Sequence, residues 1–461
     1  MKSHQLIHKN LKNGLEYIYV PNSDIMTFSL IVAFKVGSRD ESEGYIGSSH
    51  LLEHMLFKGT TKRPEQKQIS EELDRLGSDY NATTSKNITN YYIKAPKDNF
   101  EKCLDILCDM VFNSVVRSKD LEKEKKVVIE EYNKMLDNPS ATCIEQTIGE
   151  VFKGHPLEKS TIGTKESILG FNRDKVYEYY KKYYNPNNCI ITICGNIGNI
   201  SQKNLNSLLD KYTKSCAKNT NTNAKTNCYN ITSTYRNPVQ KITLEKQTVP
   251  RLKIIHRPNA QQCAITIGFP CMDVYSHDEI YILKVYGFIL GGGLSSRLFR
   301  EIREKAGLAY TVAADSEHFQ DTGAFLLSTA IEKNSLFENQ TDNKEKEGGL
   351  YIILHTLEDL LKHGVKPDEV ETAKTSIKNK ISVVYENTHA MAAYYNEQLL
   401  LKYPKIINIE DFLKKLESVT AKQINELIKK YLTLDKFTLG IVGNYTQEQV
   451  LNYLTTRFAP N

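Results

Sequence analysis

The chain carries one pattern twice at a fixed distance, and this limits its fold more than any single residue does. Asp174–Tyr183 reads DKVYEYYKKY and Lys422–Tyr431 reads KQINELIKKY. Each reads as a helix with a Lys-Lys-Tyr end, followed by a short turn, an apolar strand and Gly-Asn. The strands are Cys189–Cys194 (CIITIC) and Phe437–Val442 (FTLGIV). Tyr183 and Tyr431 are 248 positions apart, and so are Gly195 and Gly443. Shared punctuation at one offset indicates duplication. The halves also open alike, on the apolar runs Phe28–Phe34 and Cys263–Phe269, which read as buried strands, each followed by a long helical region. Strands and helices recur in both halves, so the predicted class is α+β, with two homologous halves each built on a mainly antiparallel sheet packed with helices. Lys214–Asn237, rich in Lys, Asn, Thr and Ser, cannot bury much surface and reads as a linker. The expected domains are therefore residues 1–213 and 245–461, joined through 214–244. Asn339–Gly348 reads as a second polar insertion, a surface loop.

A length of 461 residues accommodates two such domains. Sixty Lys and Arg against 55 Asp and Glu leave a net charge of +5, which demands neither nucleic acid nor a lipid surface as partner. The nine cysteines are odd in number and include no C-x-x-C, so neither a disulfide framework nor a thiolate zinc knuckle is indicated. Cys189, Cys194 and Cys263 sit among apolar residues and read as buried thiols, which suits a reducing compartment. The Met1–His8 segment lacks the apolar stretch of a signal peptide and is not an Arg/Ser-rich transit helix. No window approaches the ~18 apolar residues of a membrane span. Without a secretory signal, the sequon Asn230-Ile-Thr232 carries no weight. The expected compartment is the bacterial cytoplasm, with the mitochondrial matrix as the alternative.

Chemistry enters at His50-Leu-Leu-Glu53-His54. Positions i, i+3 and i+4 share one helical face, so His50, Glu53 and His54 project together. Two imidazoles so spaced can grip one metal ion, and the carboxylate between them can move a proton. This is the inverted H-x-x-E-H arrangement of zinc proteases. The plain alternative is two helix histidines on a polar face with Glu53 in a surface pair.

A catalytic zinc takes three protein ligands and leaves a position for water. The segment from Ser118 to Met135 reads as a helix capped by Ser118 and ended by Asn138-Pro139. Leu121, Val128 and Met135 mark its inward stripe. Glu124 and Glu131 fall on that stripe, while Glu130 points away. An unpaired buried carboxylate is costly, so both need a partner: a metal and its histidines, or a Lys or Arg on a neighbouring helix. Glu131 is the candidate third ligand, and Glu124, about 10 Å away along the axis, suits orienting a ligand histidine.

These residues together resemble the pitrilysin-type metallopeptidases, which include insulin-degrading enzyme and mitochondrial processing peptidase, and more closely the small processing-peptidase-like members. The resemblance rests on His50-Leu-Leu-Glu53-His54, on the 76 residues between His54 and Glu131, and on Glu124 seven positions earlier. It covers nearly the whole chain. It implies one Zn²⁺ per chain, held by His50, His54 and Glu131, with Glu53 as general base. It further implies that Arg303 and Tyr310, in Arg303-Glu-Lys-Ala-Gly-Leu-Ala-Tyr310, reach the substrate carbonyl. On the residues alone these two are a solvated helix end and a strand Tyr at a core edge. Gly307 is expected to close that helix, with Leu308–Val312 opening a strand. Asn81, Ala82 and Thr83, in Asn81-Ala-Thr-Thr84, resemble the family's substrate-binding edge strand. The implied architecture is a clamshell whose halves close on an unfolded or short peptide. The implied activity is endopeptidase, and the implied assembly is a homodimer or a heterodimer with a related subunit. The alternative is a noncatalytic or partner-dependent subunit of a heteromeric peptidase or scaffold complex.

Overall fold

The computed structural model describes residues 6–213, 237–238, 241–341, 344–403 and 405–458. Most of the expected linker, with Cys216, Cys228 and the Asn230 sequon, lies outside the described residues. Thirteen strands occur among those described: β1 Ile7–Asn10, β2 Glu16–Pro21, β3 Thr27–Phe34, β4 Asp79–Thr84, β5 Thr89–Pro96, β6 Cys189–Gly195, β7 Arg251–His256, β8 Gln262–Cys271, β9 Ala309–His318, β10 Gly323–Glu332, β11 Asn339–Thr341, β12 Lys344–Lys346 and β13 Thr438–Gly443. The first sheet runs β1-β2-β6-β3-β5-β4 and the second β7-β13-β8-β10-β9.

The duplication read from the sequence is visible in the pairing. Dropping β1, the two orders match strand for strand. Each sheet is antiparallel except for one parallel pair, β2 with β6 and β7 with β13. The repeated strands β6 and β13 lie inside their sheets with every residue buried, as continuous apolar runs must when both faces are covered. The repeated helices are Arg173–Tyr183 and Ala421–Tyr431. Each sheet has its own apolar core, the first including Phe28, Leu30, Phe34, Tyr91 and Leu107, the second Ile265, Phe269, Tyr286, Phe325 and Ile441. Within Asn339–Gly348, expected as a surface loop, the short strands β11 and β12 pair with each other.

The compact units are not two contiguous stretches of chain. The first comprises residues 1–132, 159–239 and 382–406, and the second 133–158, 240–381 and 407–461. The helix Pro139–Val151 thus belongs with the second sheet, and Thr388–Leu400 with the first. The two exchanged helices are themselves a repeat: Asn138 and Asn387 both act as N-caps, their side chains accepting from Ala141 N and from His389 N and Ala390 N. Their seats differ in chemistry. On the second sheet a Cβ at Gly440 would lie 1.9 Å from Thr147 Oγ1, so only glycine lets the helix settle there. On the first sheet Asn396, 2 % exposed, accepts from Thr192 Oγ1 at 3.1 Å and donates to Asn90 Oδ1 at 3.1 Å. No helix among the described residues is long and apolar enough to cross a membrane.

Candidate metal centre

The helix Ser48–Leu56 turns Leu51, Leu52, Met55 and Leu56 into the first core and leaves His50, Glu53 and His54 on its partly exposed side. Its N-cap residue, Gly47, has φ 90° and no side chain to cap with. Glu41 supplies the cap from outside. Its carboxylate accepts Gly47 N–H at 2.7 Å and Ser49 N–H at 2.8 Å. Two of the free donors of the first turn are thereby satisfied. Glu41 is only 1 % exposed, and burial pushes its carboxyl up to about 8 against the hydrogen bonds it receives. Ser49 Oγ is also bonded to Tyr179 Oη at 2.8 Å, tying the turn to the repeated helix.

The helix Ser118–Asp137 brings the expected acids to this face. Glu124 is buried, Glu131 is partly exposed and Glu130 points to solvent. Glu131 Oε2 lies 3.6 Å from His50 Nε2 and 3.4 Å from His54 Nε2. Ligand atoms about 2.0–2.2 Å from a tetrahedral ion stand about 3.3–3.6 Å apart, so the two distances to Glu131 are those of a zinc site. Among the described residues this is the one His/Cys/Asp/Glu cluster able to hold a metal ion, its donor atoms all within 4.8 Å of one another. The charges fit a cation as well: Glu53, Glu124 and Glu131 gather around two imidazoles. Burial, reinforced by the neighbouring His54, holds His50 at about 4, so it is neutral near pH 7, the form a metal ligand requires.

Glu124 occupies the orienting place. Its Oε2 is 3.3 Å from His54 Nδ1, and its Oε1 is 2.7 Å from Lys58 Nζ. Burial raises the Glu124 carboxyl, but the bonds from His54 and Lys58 outweigh it and hold it below the usual range. His54 is displaced upward: burial opposes its charge, and the Glu124 bond with the Glu131 and Glu53 charges prevails. Burial likewise raises Glu53, against a hydrogen bond from Thr84 Oγ1 at 2.5 Å. The sequence does not single out Lys58, Glu41 or Thr84 as contributors to this centre. Lys58 lies one turn beyond His54, a spacing that could have pointed to it. Nothing local marks Glu41, and the motif that ends on Thr84 points to an edge strand and not to Glu53.

A cavity of about 410 Å³ opens over these groups, lined by His50, Glu53, His54 and Glu131 together with Tyr80 and Asn81. The strand β4 is one of the two edge strands of its sheet. Ala82 is buried beneath it, Asn81 and Thr83 are exposed, and Ala82 N–H is held by Asn81 Oδ1 at 2.9 Å. In the second unit, Arg303 and Tyr310 meet each other. Arg303 lies on a π-helical turn, Phe299–Lys305, and Tyr310 follows at the start of β9. Arg303 Nη1 donates to Tyr310 O at 2.8 Å, and the guanidinium lies 4.6 Å from the Tyr310 ring centroid and 4.7 Å from that of Phe299. The Tyr310 side chain is mostly exposed.

Residues 18–165 match the insulinase model of peptidase family M16, and residues 170–377 match the model described as the peptidase M16 inactive domain. The division agrees with the metal cluster, which among the described residues lies in the first half alone. An uncharacterised zinc protease of Rickettsia bellii is 30% identical over 94% of this chain and 96% of its own length. One from Bacillus subtilis is 29% identical over 94% and 97%. The fold matches a crystal structure of a protease from Helicobacter pylori with a TM-score of 0.81 at 23% identity, over 95% of this chain and 99% of that one. The chain belongs to peptidase family M16, the insulinase family of zinc proteases.

Proposed function

We propose that the chain is a zinc-dependent endopeptidase that hydrolyses short or unfolded peptides. The observation that carries this reading is the convergence of His50, His54 and Glu131, with donor atoms within 4.8 Å of one another, and Glu53 lining the same cavity. Zinc bound there would bring the pKa of a coordinated water towards about 7 and polarise the scissile carbonyl. Two imidazoles favour zinc over a hard, oxygen-seeking ion such as magnesium. Glu53 takes the proton of the attacking water and delivers it to the leaving amine. Glu124 holds the His54 ring through Nδ1, leaving Nε2 directed at Glu131.

The peptide would add to β4 as a further strand, pairing with Asn81, Ala82 and Thr83 through the main chain. Supporting this, β4 is an edge and Asn81 lines the cavity. An incoming carbonyl would replace Asn81 Oδ1 on Ala82 N–H. Tyr310 would stabilise the developing oxyanion and Arg303 would position the peptide, roles the family resemblance implies. The seven described cysteines are free and buried, which suits a reducing compartment. The test is digestion of a defined library of unstructured peptides, with and without a chelator, followed by zinc add-back. Chelator-sensitive cleavage restored by zinc is expected. A chain that binds zinc and cuts nothing would instead be a noncatalytic or partner-dependent subunit.

A further inference from the structure

Thr84 is the last residue of β4. It shares its side of the strand with Tyr80, which lines the cavity, and with buried Ala82. Its hydroxyl donates to Glu53 Oε2 at 2.5 Å, at the short end of O–H to carboxylate bonds. Among the described residues no other hydrogen bond reaches that carboxylate. A glutamate on a helix face samples several rotamers unless something holds it, and a general base works only within hydrogen-bond reach of its proton. With Oε2 taken by Thr84, Oε1 is the oxygen left to accept the proton of the attacking water.

The donor is itself well fixed. Threonine is β-branched and stiff at χ1. Thr84 pairs with Thr89 in the last rung of the β4–β5 ladder, and Ser85 N–H closes the turn on Ile88 O at 2.8 Å. The turn is fastened from outside by Ser38 N–H to Ser85 O at 3.2 Å and Arg39 N–H to Lys86 O at 3.0 Å. Buried Lys86 reaches Lys159 O through Nζ at 2.6 Å. The strand that ends on Thr84 is also an edge strand of the sheet.

We propose that Thr84 is the positioning residue for Glu53, so that the strand offered to the peptide also orients the base that attacks it. The inference rests on the proposed peptidase reading. Thr84 keeps its own proton throughout, and the water's proton goes to Glu53 Oε1 and on to the leaving amine.

The experiment compares Thr84→Val, which keeps the shape and loses the hydroxyl, with Thr84→Ser, which keeps the hydroxyl, in the zinc-loaded full chain. Thr84→Val should lower kcat roughly 10–100-fold, as loss of an orienting partner does, with KM, zinc affinity and urea unfolding unchanged. Thr84→Ser should recover most of the rate. In a Glu53→Gln background, Thr84→Val should slow the residual reaction no further, and the affinity of this protein for a fluorescent peptide should not change. An active wild type whose Thr84→Val variant keeps its kcat overturns the assignment. So does a loss of zinc or stability that parallels the loss of rate, because Thr84 would then be purely structural. A zinc-loaded wild type that cuts no peptide overturns the peptidase reading and this inference with it.

Discussion

The Glu41 carboxylate receives the Ser49 N–H at 2.8 Å, so a buried acid from outside the helix sets the turn that presents His50. Gly47 stands at the N-cap with φ 90° and accepts no side-chain substitute there without strain. The orientation of the first candidate ligand, His50, therefore begins with a residue outside the candidate ligand set.

Glu41 makes stability depend on pH in a definite direction. Its folded value of about 8 stands above the ordinary 4.5, so the native chain holds a proton that the unfolded chain releases between those limits. Native stability from this group is greatest below the ordinary value and falls as pH rises to about 8. In metal-free protein, Glu41→Gln should be less stable than wild type by about 1 kcal/mol near pH 5, having lost one acceptor. The gap should narrow or reverse by about pH 8. Urea unfolding of both proteins across this range checks it, and a gap that does not change with pH would remove Glu41 as its source.

Glu124 and Glu131 should separate in zinc affinity. Glu131→Gln removes a ligand and should cost several orders of magnitude in chelator competition. Glu124→Gln removes the partner of His54 Nδ1 and should cost roughly 10–100-fold. Equal losses would mean that Glu124 is doing more than orienting His54.

Glu53→Gln should keep zinc and lose hydrolysis by about 10²–10⁴-fold, the usual contribution of a positioned general base. Metal analysis and turnover on one preparation measure both. Unimpaired turnover would take Glu53 out of the mechanism.

The close seat of the helix Pro139–Val151 gives a prediction independent of catalysis. Gly440→Ala would drive a methyl into Thr147 Oγ1 and should destabilise the chain by about 1–3 kcal/mol, the range for overpacking. Pairing it with Thr147→Ala should recover part of that loss in urea unfolding.

The residues most legible in the sequence are those governed by local geometry. His50, Glu53 and His54 are one turn of one helix, and Glu124 and Glu131 were marked by the stripe through Leu121 and Val128. The buried strands β3, β6, β8 and β13 follow from their apolar runs, while the way they pair is set by the fold. The exchanged helices were not legible, because nothing in Pro139–Val151 or Thr388–Leu400 states which sheet each will cover. That is decided by distant residues such as Gly440 and Asn396. The same holds for Glu41 and Thr84, whose partners in the metal helix are set by tertiary packing. In the sequence Arg303 and Tyr310 read as a helix end and a strand start. The helix is a π-helical turn, whose wider winding no residue pattern announced.

Anomalous diffraction at the zinc edge, from crystals of the zinc-loaded protein, decides whether the three side chains hold the ion. One peak per chain is expected, about 2.0–2.2 Å from His50 Nε2, His54 Nε2 and a Glu131 carboxylate oxygen. A peak bound elsewhere, or one that Glu131 does not reach, would contradict the zinc-peptidase assignment.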